Sequence, residues 1–272
     1  IPYYRLDVTK LYKDANEALN ADREAFRAAV AEAVAQVAEA EAAIAEAERE
    51  ALKREAVAYT LQNFLKDIEE RKRAAFIPTG FSPLDNLLDG GLYAGLYIIG
   101  AISSLGKTTF CLNVADNIAQ AGHDVLIFSL EMARNELIAK SVSRLTFIKD
   151  LEENGSTAHA KTTRGILTGT RYAEYSQTER ELIQRSIASY WSYAKNVYIT
   201  EGIGNIGVKE IEEKVQKHIK LTGKAPVVLI DYLQIIAPTD IRATDKQNTD
   251  KAVLELKRLS RDYSIPIIGI SS

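Results

Sequence analysis

Three short stretches hold residues whose types and spacing suit phosphate chemistry. The first is Ala101-Ile102-Ser103-Ser104-Leu105-Gly106-Lys107-Thr108-Thr109. Small residues lead to Gly-Lys-Thr at the opening of an expected helix. Gly106 lets backbone N–H groups turn inward around phosphates, and the helix start adds its positive end. Lys107 can bridge the β- and γ-phosphates, and the Thr108 hydroxyl can ligate Mg²⁺. Ala101 stands where such a loop more often has its first Gly. The second stretch, Val227-Val228-Leu229-Ile230-Asp231, is an apolar strand ending in an acid. A carboxylate there can hold Mg²⁺ directly or through water. The third, Ile127-Phe128-Ser129-Leu130-Glu131-Met132, ends in Glu131, a candidate base for the water that attacks the γ-phosphate. Taken singly, Asp231 reads as a turn starter and Glu131 as a helix N-terminal acid favouring the macrodipole. Together with the loop, the nucleotide reading is preferred.

These residues need a scaffold that brings three strand ends together. From Pro78-Thr79-Gly80 onward, apolar runs alternate with amphipathic helices. Strands are expected at Leu96–Gly100, Val125–Leu130, Val197–Thr200, Val227–Ile230 and Ile265–Ile270. Helices are expected from Lys107, from Arg134, and near residues 178–194, 208–221 and 248–263. Such alternation predicts an α/β fold with a mostly parallel sheet covered by helices on both faces. In such sheets the ligand sits beyond the carboxyl ends of the strands.

The amino-terminal part follows another pattern. Residues 21–73 contain no Gly and no Pro, and 16 of the 38 residues from Ala21 to Ala58 are Ala, which is strong helix composition. Phe26, Val30, Ala33, Val37, Ala40, Ile44, Ala47 and Ala51 recur at steps of four and three, a heptad seam. So much Ala buries little area, so a helical hairpin or docking on another surface is expected rather than a strong free coiled coil; a solvated spacer helix is the alternative. The stripe resumes at Ala58, Leu61, Leu65 and Ile68.

Composition sets outer limits. A chain of 272 residues with 46% hydrophobic and 26% charged residues is expected to be soluble and globular. A net charge of −3 announces no nucleic-acid binder, although a local patch can serve. Cys111 is the single cysteine, which permits no internal disulfide, suits a reducing cytoplasm and reads as a small buried hydrophobe. No signal-peptide pattern or membrane-length apolar run is present. The chain starts at Ile1 and stops after an apolar strand, so it is expected to be a fragment of a longer protein.

Thr79-Gly80-Phe81-Ser82-Pro83-Leu84-Asp85, the phosphate-type loop, Phe-Ser-Leu-Glu-Met and Leu-Ile-Asp-Tyr-Leu-Gln, in this order and spacing, resemble the RecA-type motor of DnaB-family replicative helicases. The resemblance covers residues 77–272. It implies a RecA-like P-loop NTPase that binds ATP and Mg²⁺ between subunits of a hexameric ring and moves along single-stranded DNA during replication. It implies Lys107 and Glu131 as catalytic residues. Nucleotide would be bound by Ala101, Ser103, Ser104, Leu105, Gly106, Lys107, Thr108, Thr109, Asp231 and Gln234, and Mg²⁺ by Thr108 and Asp231. The family has a Gln as γ-phosphate sensor at the end of the last strand, where Ser272 stands here. Its arginine finger and main DNA loop would lie beyond that strand, so hydrolysis by this chain alone is expected to be weak. Tyr12-Lys13-Asp14-Ala15-Asn16-Glu17-Ala18-Leu19 resembles the end of a Toprim primase domain. That implies a primase–helicase chain, with residues 1–20 as the Toprim tail and residues 21–76 as a helical linker. The linker segment around Ala58–Glu70 would dock on the adjacent subunit.

Arg242 and Lys246 lie where such a motor presents a loop to its channel, and are the candidate DNA contacts. Lys161, Arg164 and Arg171 are a second candidate set. Lys214, Lys217, Lys220 and Lys224 are expected on a solvated helix face and its following loop. Trp191, Tyr190 and Tyr193 are expected in the core rather than as a base-stacking platform. His123, His159 and His218 show no metal-ligand spacing. Two rival functions share the core: a recombinase or clock-type RecA ATPase, and a nucleotide-gated assembly module with little turnover. The Phe-Ser-Leu-Glu-Met motif favours the helicase.

Overall fold

The structure, a computed structural model, describes residues 8–9, 12–71, 76–202, 206–238 and 242–271. The chain divides into two compact units, residues 1–74 and 75–272.

In the amino-terminal unit, α1 spans Ala15–Ala21, α2 Arg23–Glu55 and α3 Val57–Arg71. Asp14 caps α1 by accepting the Glu17 N–H, and Asp22 caps α2 by accepting from Glu24 and Ala25. Extended backbone at Ala56 separates α2 from α3. The heptad seam is only partly covered. Phe26, Ala33, Val37 and Ala40 are half-buried, whereas Ile44, Ala47 and Ala51 are exposed, like all of residues 41–55. Alanine offers too little apolar area to hold a close hairpin along the whole helix. In α3 the apolar Leu61, Phe64, Leu65 and Ile68 are exposed.

The second unit opens with α4 (Ser82–Leu87), then runs β1 (Gly95–Gly100), α5 (Lys107–Gln120), β2 (Val125–Ser129), α6 (Arg134–Asn154), α7 (Thr163–Leu167), α8 (Gly169–Glu174), α9 (Gln177–Ala194), β3 (Val197–Glu201), α10 (Val208–Thr222), β4 (Val227–Asp231), a 3-10 turn (Leu233–Ile235), α11 (Asp245–Asp262) and β5 (Pro266–Ser271). The five strands form one sheet in the order β1-β5-β4-β2-β3, and every pairing is parallel. The fold is therefore α/β with a parallel sheet, as the alternating runs imply.

The central strands β2 and β4 are buried throughout, which is why they read as continuous apolar runs rather than alternating ones. Their side chains still divide by period two. Leu126, Phe128, Val228 and Ile230 pack with Ile211 and Val215 of α10 and Leu256 and Leu259 of α11. Val125, Ile127, Val227 and Leu229 pack with Cys111, Leu112, Ala115 and Ile118 of α5 on the other face.

The register aligns strand ends. Ser129 lies opposite Asp231, and Gly100 opposite Ser271. Strand β1, which leads into the Gly106-Lys107 loop, and the Asp231 strand β4 are separated by β5 alone, so their carboxyl ends open on one crevice.

The aromatic cluster of α9 splits. Tyr193 is buried, but Trp191 is 80% exposed, so the expectation of a core Trp191 is corrected. The helix buries Leu182, Ile183, Ser186 and Tyr193, and helical periodicity puts Trp191 on the opposite side. Lys161 is also largely withdrawn from solvent, its side chain 11% exposed. It pairs with Glu179, and its ammonium lies 4.7 Å from the Tyr175 ring centroid. It therefore drops out as a DNA contact, whereas Arg164 and Arg171, on the short helices α7 and α8, are exposed. No described helix is long and apolar enough to cross a membrane.

Candidate functional site: a cleft at the strand ends

The loop between β1 and α5 is shaped by backbone conformation. Gly106 has φ +90° and serves as the N-cap of α5, and Ser104 has φ +65°. At Gly106 a Cβ would meet nothing within 4 Å, so the glycine is required by its left-handed backbone rather than by crowding. The open space beside it leaves the helix N-terminus accessible to an anion. Lys107 is half-buried, and its Nζ donates to the carbonyls of Ala101 (2.5 Å) and Ile102 (3.2 Å). The lysine thus lies folded along the loop it would serve.

The preceding Thr-Gly-Phe motif anchors this loop's helix. The Thr79 N–H and hydroxyl both donate to Asp85 Oδ1 at 2.7 Å. Asn117 of α5 donates to the Thr79 carbonyl at 3.0 Å. Gly80 has φ +81°, and a Cβ there would lie 2.4 Å from Asn117 Nδ2. The motif is thereby locked to α5.

A cleft of about 490 Å³ gathers Ser103, Ser104, Gly106, Lys107, Thr108 and Thr109 of the loop with Glu131 and Asp231 of the strand ends. Met132, Lys140, Tyr232 and Ile270 complete its wall. Residues as far apart in the sequence as Ser103 and Asp231 therefore meet in one place. Among the described residues no cluster of three or more His, Cys, Asp or Glu could hold a metal. A hard cation here would rely on Asp231, Thr108 and phosphate oxygens together.

Asp231 fits such a cation. It is 4% exposed, and its Oδ2 has no hydrogen-bond partner. Burial pushes its carboxyl above the usual range, and the charge of Glu131 pushes the same way. A hydrogen bond from the Thr108 side chain and the charges of Lys140 and Lys107 pull it back. A buried carboxylate with an unused oxygen beside a threonine hydroxyl is chemically suited to a divalent ion. Glu131 is exposed on the cleft wall, where it can meet water.

Other expected residues are placed differently. Ala101 contributes its carbonyl to Lys107, and Leu105 is 68% exposed on the loop; neither lines the cleft. Gln234 also lies outside it. The 3-10 turn after Asp231 carries it towards the last strand, where its Nε2 donates to Ser271 Oγ at 2.9 Å. Arg242 and Lys246 are exposed just before and within the first turn of α11, away from the cleft lining. Ser272, at the place expected for a γ-phosphate sensor, lies outside the described residues, as do residues 1–7, 10 and 11 of the Toprim-like tail. Sequence reasoning missed Lys140. No local motif marks it, since only the placement of α6 brings it to the cleft.

Comparison with known proteins bears on this arrangement. A family model described as "DnaB-like helicase C terminal domain" matches residues 76–272. The chain is 30% identical over 221 residues to a protein named replicative DNA helicase DnaB from Nostoc, covering 79% of this chain and 22% of that protein. It is 32% identical over 198 residues to one named replicative DNA helicase DnaC from Bacillus subtilis, covering 72% and 39%. The chain thus spans well under half the length of these relatives. Among solved structures, one described as an ATPase domain superposes with a TM-score of 0.62 at 24% identity, covering 80% of this chain and 71% of that one. A structure of a DnaB-like replicative helicase and its interactions with primase gives 0.63 at 24% identity, covering 94% and 59%. These two likenesses speak to the fold. The chain, through residues 76–272, belongs to the DnaB-like helicase C-terminal domain family.

Proposed function

We propose that this chain is the ATP-hydrolysing motor of a replicative DNA helicase, which couples hydrolysis to movement on single-stranded DNA in the cytoplasm. The observation that carries the reading is the meeting of Lys107, Thr108, Glu131 and Asp231 in one cleft at the carboxyl ends of a parallel sheet. The loop from Ser103 to Thr109 would hold the phosphates of ATP, with Lys107 turning from the Ala101 carbonyl to the β- and γ-phosphates. Thr108 and Asp231 would hold Mg²⁺, which when bound supplies charge stabilisation to the phosphate oxygens. Glu131 accepts a proton from the attacking water, a task suited to an exposed carboxylate at a strand end.

Oligomerisation completes the reading. The second unit offers no arginine finger among the cleft residues, and a neighbouring copy in a hexameric ring would supply one. The amphipathic helix α3, with Leu61, Leu65 and Ile68 exposed, is the segment we assign to contact with the neighbouring copy, residues 21–76 being the linker. Arg242 and Lys246 are the proposed contacts to the phosphates of single-stranded DNA.

The test is ATP turnover and strand unwinding by the full-length polypeptide, with and without single-stranded DNA. DNA-stimulated turnover that falls about 10²–10⁴-fold in Glu131→Gln, the usual worth of a general base, supports the motor. Nucleotide binding without DNA-stimulated turnover would instead favour an assembly module.

A further inference from the structure

One cation in the cleft has no part in the scheme above. Lys140 projects from α6 into the space lined by Lys107, Thr108, Glu131 and Asp231. It is half-buried between the buried Ala139 and Ser141, which sets it apart from a surface lysine free to swing in water.

The helix that carries it is fixed at several points. At its start, the backbone N–H of Arg134 donates to Glu201, and its guanidinium donates to the Ile199 carbonyl at 2.8 Å, both on β3. One turn beyond Lys140, Arg144 pairs with Asp116 of α5 at 2.9 Å. Since α5 begins at Lys107, that pair fixes α6 relative to the phosphate loop. Lys107 and Lys140 are thus two cations mounted on two helices that are clamped together.

The charge pattern suggests what Lys140 meets. Without nucleotide, the cleft's two lysines face two carboxylates, Glu131 and Asp231. A bound triphosphate adds several negative charges. The loop cradles the phosphates nearest the nucleoside side, so the terminal phosphate extends towards the strand-end acids and Lys140. A positioned ammonium offsets the repulsion there, and does so more strongly in a half-buried cleft than in open water.

We propose that Lys140 binds the terminal phosphate of the nucleoside triphosphate, so that the cleft distinguishes triphosphate from diphosphate. The inference rests on the nucleotide-site reading above and names a residue that reading does not require.

The test compares binding of a non-hydrolysable ATP analogue and of ADP, with Mg²⁺, to the wild type, Lys140→Met, Lys140→Arg and Lys107→Ala. Lys140→Met is expected to weaken the analogue roughly tenfold or more, the size of one lost charge-assisted hydrogen bond, while ADP shifts by no more than about twofold. Lys140→Arg should recover most of the loss. Equal weakening of both nucleotides, or of neither, would overturn the proposal; a parallel fall in melting temperature would mark a structural role instead. Wild-type binding no better than that of Lys107→Ala would bring down the nucleotide-site reading itself, and the proposal with it.

Discussion

The guanidinium of Arg144 donates to Asp116 Oδ2 at 2.9 Å, with side chains 18% and 1% exposed. This pair joins α6 to α5 behind the cleft. Around the pair stand only neutral hydroxyls, Ser141 beside Asp116 and Tyr193 beside Arg144, and neither replaces a lost charge. Removing one member of a buried pair strands the other charge, at a cost of about 3–5 kcal/mol. Asp116→Ala should therefore lower stability by roughly that amount in urea unfolding. Asp116→Ala combined with Arg144→Met should be more stable than Asp116→Ala alone. A double variant less stable than either single change would contradict this account.

Gly80 is held at φ +81° with Asn117 Nδ2 2.4 Å from the position of an added Cβ. Gly80→Ala meets both backbone strain and a clash with the amide that binds Thr79. A loss of roughly 1–3 kcal/mol is expected. Thermal unfolding measures it. An unchanged melting temperature would mean that the turn does not anchor α5.

The ion pair between Lys161 and Glu179 makes the fold sensitive to acid. Hydrogen bonds from Lys161, and then from Ser176, hold the Glu179 carboxyl down at about 2. A depressed folded-state value stabilises the fold above the unfolded value, the ordinary 4.5. That stability is lost as pH falls from there towards 2. Lys161→Met should flatten the fall in stability across this window, measured by urea midpoints at several pH values. An unaltered slope would remove the pair as the cause.

Cys111 is fully buried on α5, and burial pushes its thiol up to about 12. Its thiolate is therefore scarce near neutral pH. A thiol reagent should label it only as the domain opens, at a rate that rises with denaturant. Rapid labelling of the folded protein would contradict the packing of α5 against the sheet.

The fold was legible because its signals are local and redundant. Continuous apolar runs marked β2 and β4, and Gly106-Lys107 marked the start of α5. That Lys107, Thr108, Glu131 and Asp231 meet in one cleft was legible for the same reason, since each sits at or just beyond a strand end or at a helix start. Lys140 was not legible, because a lysine's reach into a cleft depends on tertiary placement of its helix. Trp191 misled because Tyr190, Trp191 and Tyr193 are neighbours in sequence, yet helical periodicity turns Trp191 outward. Gln234 belongs to the same motif as Asp231, but the 3-10 turn between them takes it to Ser271.

The central claim is that the cleft is a Mg²⁺-dependent ATP site built on Lys107. The most direct measurement is calorimetric titration of ATP into the wild type and Lys107→Ala, each with and without Mg²⁺. The account predicts wild-type binding that weakens when Mg²⁺ is removed and weakens at least about tenfold in Lys107→Ala, the loss of one charge-assisted contact to phosphate. Binding by the wild type that is indifferent both to Mg²⁺ and to Lys107 would contradict it.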